Sequence, residues 1–215
     1  MKKLTAILLI ACTAALLLAG CGTAETTPIN IAALQGPTGM GIVTLMGEEF
    51  ASKYNITIES APDAVTGKLI NGELDIAAVP INLASVLYNK TEGNIVMIAV
   101  NTLGVLYVLE DGDTVNSMAD LAGKTLYATG QGSTPEYMLA YLLEKNGLTD
   151  SVTVEYLTEH SELAALMASG EVKLGMLPEP NVSATLAKNS NLRVALDLTE
   201  EWNKVAGVEP VQGLF

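Results

Sequence analysis

Two stretches of this 215-residue chain carry residues suited to gripping a small polar molecule: Gln35-Gly36-Pro37-Thr38-Gly39-Met40-Gly41 and Gly130-Gln131-Gly132-Ser133-Thr134. Each follows a short apolar run with strand character and precedes a stretch with helical spacing. Beyond the carboxyl end of a strand, the first turn of the next helix offers unpaired backbone N–H groups and a partial positive charge. Glycine lets a ligand approach that backbone, and Thr38, Ser133 and Thr134 add hydroxyls. Two such loops facing one another across a cleft would hold a solute from both sides.

Residues that would support catalysis do not assemble in the same way. Gly123-Lys124-Thr125 mimics the end of a phosphate-binding loop, but the earlier glycine such a loop requires falls at Met118, and the tripeptide precedes its strand. Residues 36–41 have the wrong spacing for a dinucleotide fingerprint. His160 is the one histidine, with no second histidine or cysteine partner for metal or triad chemistry; it reads as a surface residue in the first turn of its helix. Asp111-Gly112-Asp113 reads as a solvated turn. Tyr88, Tyr107 and Tyr127 are candidates for stacking on a ring, with half-buried packing as the ordinary alternative. The expectation is a binding protein without cofactor or metal, not an enzyme.

Alternating strand and helix patterns position the two loops. In the first half, strands are expected at 30–34, 55–59, 74–79 and 95–100. Helices are expected at 39–53, where Ile42, Met46 and Phe50 recur at four-residue spacing, and at 62–71 and 81–89. The second half repeats the plan, with strands at 124–129, 152–156, 174–177 and 192–198 and helices at 134–146, 159–169 and 181–188. Gly72, Gly147 and Gly170 stand where left-handed residues end helices. Gly72-Glu73-Leu74-Asp75-Ile76 is echoed by Gly170-Glu171-Val172-Lys173-Leu174, each followed at equal distance by a proline, Pro80 and Pro178. Alternation of this kind implies parallel pairing in two α/β lobes, joined through an extended stretch beginning near residue 103.

Met1-Lys2-Lys3 and the apolar run at 4–18 form a secretory leader, too short to span a bilayer comfortably. Leu18-Ala19-Gly20-Cys21 resembles the lipobox of bacterial lipoproteins, in which the cysteine becomes the acylated first residue. That resemblance implies a lipid anchor at Cys21 on the outer face of the cell membrane. Of the 11 basic residues Lys2 and Lys3 go with the leader, against 24 acidic residues that all remain. So acidic a surface repels phosphate backbones, and nucleic acid is not expected as a partner. With Cys12 in the leader and Cys21 acylated, no pair is left for a disulfide.

The order of four motifs carries a broader likeness: Ala32-Ala33-Leu34-Gln35-Gly36-Pro37-Thr38-Gly39, Gly72-Glu73-Leu74-Asp75-Ile76-Ala77, Asp120-Leu121-Ala122-Gly123-Lys124-Thr125 and Leu177-Pro178-Glu179-Pro180. Together they resemble the extracytoplasmic solute-binding proteins of ABC importers, in the nitrate, sulfonate, taurine and thiamine-precursor group. The resemblance implies an α/β, two-lobed type II periplasmic-binding-protein fold that closes on its ligand by a hinge and delivers it to an ABC permease and its ATPase. Its ligand contacts, carried over, fall on Gln35, Gly36, Pro37, Thr38, Gly39 and Met40, on Pro80 and Asn82, on Asn101 and Thr102, on Gln131, Gly132, Ser133 and Thr134, and on Glu179. The expected boundaries are leader 1–20, tether 21–28, lobe one 29–104, crossover 105–123, lobe two 124–198, and a return toward lobe one from 199 to 215. Family members continue beyond such a return, so the fold is expected to be truncated at its C-terminus, and the complete form to be a monomer. Arg193, the one arginine, falls on a lobe-two strand, so a guanidinium clamp on the ligand is poorly supported. A sulfonate, another small anion or a pyrimidine-like solute remain open. The alternative role is the same fold used as a sensor or in thiamine-precursor metabolism.

Overall fold

The computed structural model describes residues 27–206 and 211–214. The leader, Cys21 and most of the tether lie outside them. Two five-stranded sheets organise the chain. The first contains β1 (Ile29–Leu34), β2 (Tyr54–Glu59), β3 (Ile76–Pro80), β4 (Val100–Leu103) and β10 (Val211–Leu214), in the order β2-β1-β3-β10-β4. The second contains β5 (Leu106–Asp111), β6 (Thr125–Thr129), β7 (Thr153–Leu157), β8 (Leu174–Pro178) and β9 (Leu192–Asp197), in the order β7-β6-β8-β5-β9.

Central strands are buried on both faces, as parallel strands covered by helices must be. In β1, Ile31, Ala32, Ala33 and Leu34 are all buried, and every residue of β8 is buried. Their side chains feed separate apolar clusters on opposite faces of each sheet. Ala32, Val65 and Val79 fall in one cluster and Ile31, Ala33 and Ala78 in another. In the second lobe Leu126, Leu139 and Met176 pack apart from Leu163, Met167 and Leu177. The covering helices are α1 (Pro37–Met40), α2 (Pro62–Ile70), α3 (Ile81–Lys90), α4 (Thr134–Lys145), α5 (His160–Ser169), α6 (Asn181–Leu186) and α7 (Leu198–Ala206).

The structure corrects four expectations. The helix expected at 39–53 is only α1 followed by two short 3-10 turns, because Val43 and Met46 lie exposed and Gly47 is extended; only Ile42 of that stretch is buried. The strand expected at 95–100 begins at Val100, and Val96, Met97 and Ile98 are exposed. The crossover expected at 105–123 contains a full strand of the second sheet: β5 pairs with β8 and with β9 and buries Leu106, Val108 and Leu109. The pairing is mixed, not parallel throughout, since β5 runs antiparallel to both neighbours and β10 runs antiparallel to β3 and β4. With β10 the chain does re-enter the first sheet.

Arg193 has a structural post. Its Nη2 lies 2.7 Å from Glu110 Oε2 and donates to Val115 O, and its Nε donates to Gly112 O. Glu110 is buried and also accepts from Thr114 N, Thr114 Oγ1 and Val115 N. Burial pushes the Glu110 carboxyl up, but these donors and the guanidinium outweigh it and hold the group below its ordinary range. The motif around Asp120 is likewise a turn device: Ser117 and Asp120 form a capping box, with Asp120 Oδ2 accepting from Asn116 N and Ser117 N.

Candidate functional site: a cleft between the two sheets

The carboxyl ends of β1, β3, β6 and β8 face one cavity of about 460 Å³. Gln35, Gly36, Pro37 and Thr38 line it from the turn after β1, and Pro80 from the end of β3. The opposite wall comes from residues 130–135 after β6, from residues 158–161 at the start of α5, and from Pro178, Pro180 and Asn181 after β8. The repeated motif of the two halves accounts for part of this symmetry, because Pro80 and Pro178 end equivalent central strands on opposite walls.

Of the residues carried over from the resemblance, Gln35, Gly36, Pro37, Thr38, Pro80, Gln131, Gly132, Ser133 and Thr134 come together around this cavity. The others do different work. Asn101 Nδ2 donates to Thr38 O (2.9 Å) and Thr102 Oγ1 to Pro37 O (3.1 Å), so these two brace the first loop from behind. Gly39 sits where a Cβ would meet Leu34 O at 2.9 Å, which makes it a packing requirement of the turn. Met40 is exposed. Glu179 accepts from Ser183 N and Ser183 Oγ and so caps α6. Asn82 joins the lobes: its Nδ2 donates to Gly132 O (3.1 Å), while its Oδ1 is buried without a partner.

Hydrogen bonds decide which groups of the two loops are free. Thr38 Oγ1 donates back to Leu34 O, and Ser133 Oγ donates to Gly130 O. The Gly132 N–H is taken by Glu136 Oε2 at 2.6 Å. Thr134 Oγ1, at the first position of α4, is buried and unpartnered. A buried hydroxyl without a partner costs free energy that a bound acceptor or donor would recover. The N-termini of α4 and α5 open on the cavity, so their partial positive charges converge there.

His160 is the residue that sequence reasoning misplaced. It does begin its helix, but it lines the cavity, with Nδ1 2.6 Å from Oγ1 of the buried Thr129. Its Cδ2 lies 3.8 Å from where a Cβ on Gly36 of the other lobe would stand. Gly175 on β8 lets α5 lie this close, since a Cβ there would stand 2.6 Å from Met167 Sδ. Burial pushes the imidazole pKa down, against an opposing pull from Glu159. Among the described lining residues Glu159 is the only carboxylate, and there is no lysine, arginine, tyrosine, tryptophan or phenylalanine. Tyr107 and Tyr127 pack against the core, and Tyr88 is exposed.

Two lobes of mixed sheet with covering helices and a polar cleft between them define the type II periplasmic-binding-protein class, and solved structures agree. An ABC transporter protein from Parabacteroides distasonis is similar at 26% identity and a TM-score of 0.69, over 87% of this chain and 65% of that one. The periplasmic aliphatic sulphonate binding protein SsuA of Escherichia coli is similar at 19% identity and a TM-score of 0.62, over 87% of this chain and 64% of that one. The alkanesulfonate-binding protein SsuA of Xanthomonas axonopodis pv. citri, bound to MOPS, is similar at 21% identity and a TM-score of 0.56, over 89% and 65%. The chain thus spans about 65% of the length of these structures. It belongs to the family described as ABC transporter, phosphonate, periplasmic substrate-binding protein, whose model matches residues 41–203. Among curated proteins, none matches.

Proposed function

We propose that this protein is the extracytoplasmic solute-binding component of an ABC importer, and that it captures a small tetrahedral oxyanion, a phosphonate or a sulfonate, between its lobes. The observation that carries this reading is the cleft itself. Two helix N-termini, the unpartnered Thr134 hydroxyl and the His160 imidazole converge on it, whereas no tyrosine, tryptophan or phenylalanine among the described residues lines it to stack on a pyrimidine. Helix N-termini and neutral donors bind anions without a guanidinium, which agrees with the structural employment of Arg193. Family membership supports the transport role, and the sulfonate-binding neighbours share the fold. Release to a permease and its ATPase, and a lipid anchor on Cys21, belong to the same proposal.

A thermal-shift and calorimetry series with methylphosphonate, ethanesulfonate and a hydroxymethylpyrimidine tests it. A ligand present at a hundred times its Kd stabilises the folded form by about 2.7 kcal/mol, which raises the melting temperature by roughly 5–11 °C for a chain of this size. Stabilisation by either oxyanion and not by the pyrimidine is the expected result; the reverse pattern overturns the assignment. Replacing Cys21 by Ser should move the protein out of the membrane fraction of a bacterial host, or leave an uncleaved precursor. A processed, membrane-bound Cys21→Ser protein would refute the anchor.

A further inference from the structure

An anion held in this cleft must be compensated, and the cleft contains only one side chain able to become a cation near neutral pH. That side chain is His160. Its Nδ1 is occupied by Thr129 Oγ1 at 2.6 Å, which leaves Nε2 as the ring nitrogen for a ligand. The imidazole also stands against Gly36 of the opposite lobe, at the narrow point a bound solute would share. We propose that oxyanion capture in this cleft is proton-linked: His160 takes up a proton as the anion enters and loses it on release. The proposal rests on the oxyanion reading of the cleft given above.

The surroundings favour a neutral ring in the empty cleft. Charged or titratable residues on the elements packed around it are Glu159 and Glu162 on its own segment, Tyr127 on β6, and Glu155 and Tyr156 on β7. β8 and α6 contribute none, and Glu179 lies between them. Of these only Glu159 acts on the imidazole, and burial outweighs it, so the group titrates below its ordinary value. From lobe one, no lining residue ionises. An anion placed beside the ring favours the imidazolium and raises its midpoint by about 1–3 pH units.

The linkage has a defined sign. Below the empty-state midpoint the proton is already present and affinity is at its maximum. Above the liganded midpoint affinity has fallen to a low plateau, and between the two it falls about tenfold for each pH unit. A sulfonate carries no proton in this range, so with ethanesulfonate the change comes from the protein. Methylphosphonate supplies the comparison in which the ligand titrates as well.

Because the chain has one histidine, imidazole resonances of the protein purified without a histidine tag report His160 alone. Nuclear magnetic resonance titration from pH 5 to 8.5, without ligand and with saturating ethanesulfonate or methylphosphonate, is the deciding measurement. The expected result is a midpoint below about 6.5 in the empty protein that rises by at least one pH unit when either probe is bound. In parallel, calorimetry should show ethanesulfonate affinity falling at least tenfold between pH 5.5 and 8, and His160→Gln should abolish that fall while still binding at pH 8. A bound probe with an unmoved midpoint overturns proton linkage and leaves oxyanion capture standing. Failure of both probes to bind at pH 5.5 and at pH 8 overturns both.

Discussion

Gly130 and Gly132 differ by two positions and both adopt left-handed backbone, at φ 80° and 76°, yet replacing them by alanine should have unequal consequences. A left-handed residue with a Cβ costs about 1–2 kcal/mol relative to glycine. For Gly132 that is the whole effect, because an added Cβ meets nothing within 4 Å. At Gly130 the same atom would stand 2.8 Å from Pro135 Cγ, 3.1 Å from Pro135 Cβ and 3.2 Å from Ser133 Oγ. A pyrrolidine ring in the first turn of a twelve-residue helix has no rotamer by which to retreat, so the start of α4 must move. Overpacking of this kind costs a further ~1–3 kcal/mol. For a chain of this length the difference corresponds to a melting temperature about 2–12 °C lower for Gly130→Ala than for Gly132→Ala. The shift also displaces Thr134, so Gly130→Ala should weaken oxyanion binding well beyond Gly132→Ala in calorimetry, with far-UV circular dichroism nearly unchanged in both. Equal melting temperatures and equal affinities for the two variants would refute the assigned loop geometry.

Asn82→Ala should lower oxyanion affinity by roughly tenfold while moving the ligand-free melting temperature little. The variant loses one hydrogen bond to Gly132 O, worth ~1 kcal/mol, but also removes a buried, unpartnered Oδ1 whose desolvation costs a similar amount; unchanged affinity would show that no ligand reaches that atom. Glu110→Ala should destabilise by about 3 kcal/mol, because it leaves the Thr114 and Val115 N–H groups and Arg193 without their common acceptor. Arg193→Met should cost less, since Glu110 keeps its other donors, and urea melts that rank the two in the opposite order would contradict the network. The folded Glu110 pKa is depressed, so its contribution is complete above the unfolded carboxylate range and is lost as pH falls through the lower folded value. The destabilisation caused by Glu110→Ala should therefore shrink as melts are taken below about pH 4.

Local patterns in the sequence determined most elements of this protein. Gly72, Gly147 and Gly170 mark helix ends because each must turn left-handed, and the structure has them at φ 73°, 68° and 82°. The apolar runs of β1, β3 and β8 are buried on both faces, so their composition alone identifies them as central strands. The glycine loops after β1 and β6 were legible for the same reason, as local interruptions between a period of two and a period of 3.6. Where locality failed, the pattern was real but unused: Ile42, Met46 and Phe50 keep helical spacing, yet no neighbouring face covers Met46, and the glycines break the segment. Partnership across long sequence separations was decided only by the tertiary structure. Leu106–Asp111 becomes a strand of the second sheet because β8 and β9 offer it backbone partners, and Arg193 serves Glu110, 83 residues away in sequence. Thr38 and Ser133, chosen for their hydroxyls, spend them on their own turns, whereas Thr134 keeps its own. His160 looked like a surface residue because nothing in residues 155–165 records that Thr129 and Gly36 would stand beside it. A side chain's chemistry is set by what surrounds it, and in this fold the surroundings of the cleft come from segments more than a hundred residues apart, which only folding brings together.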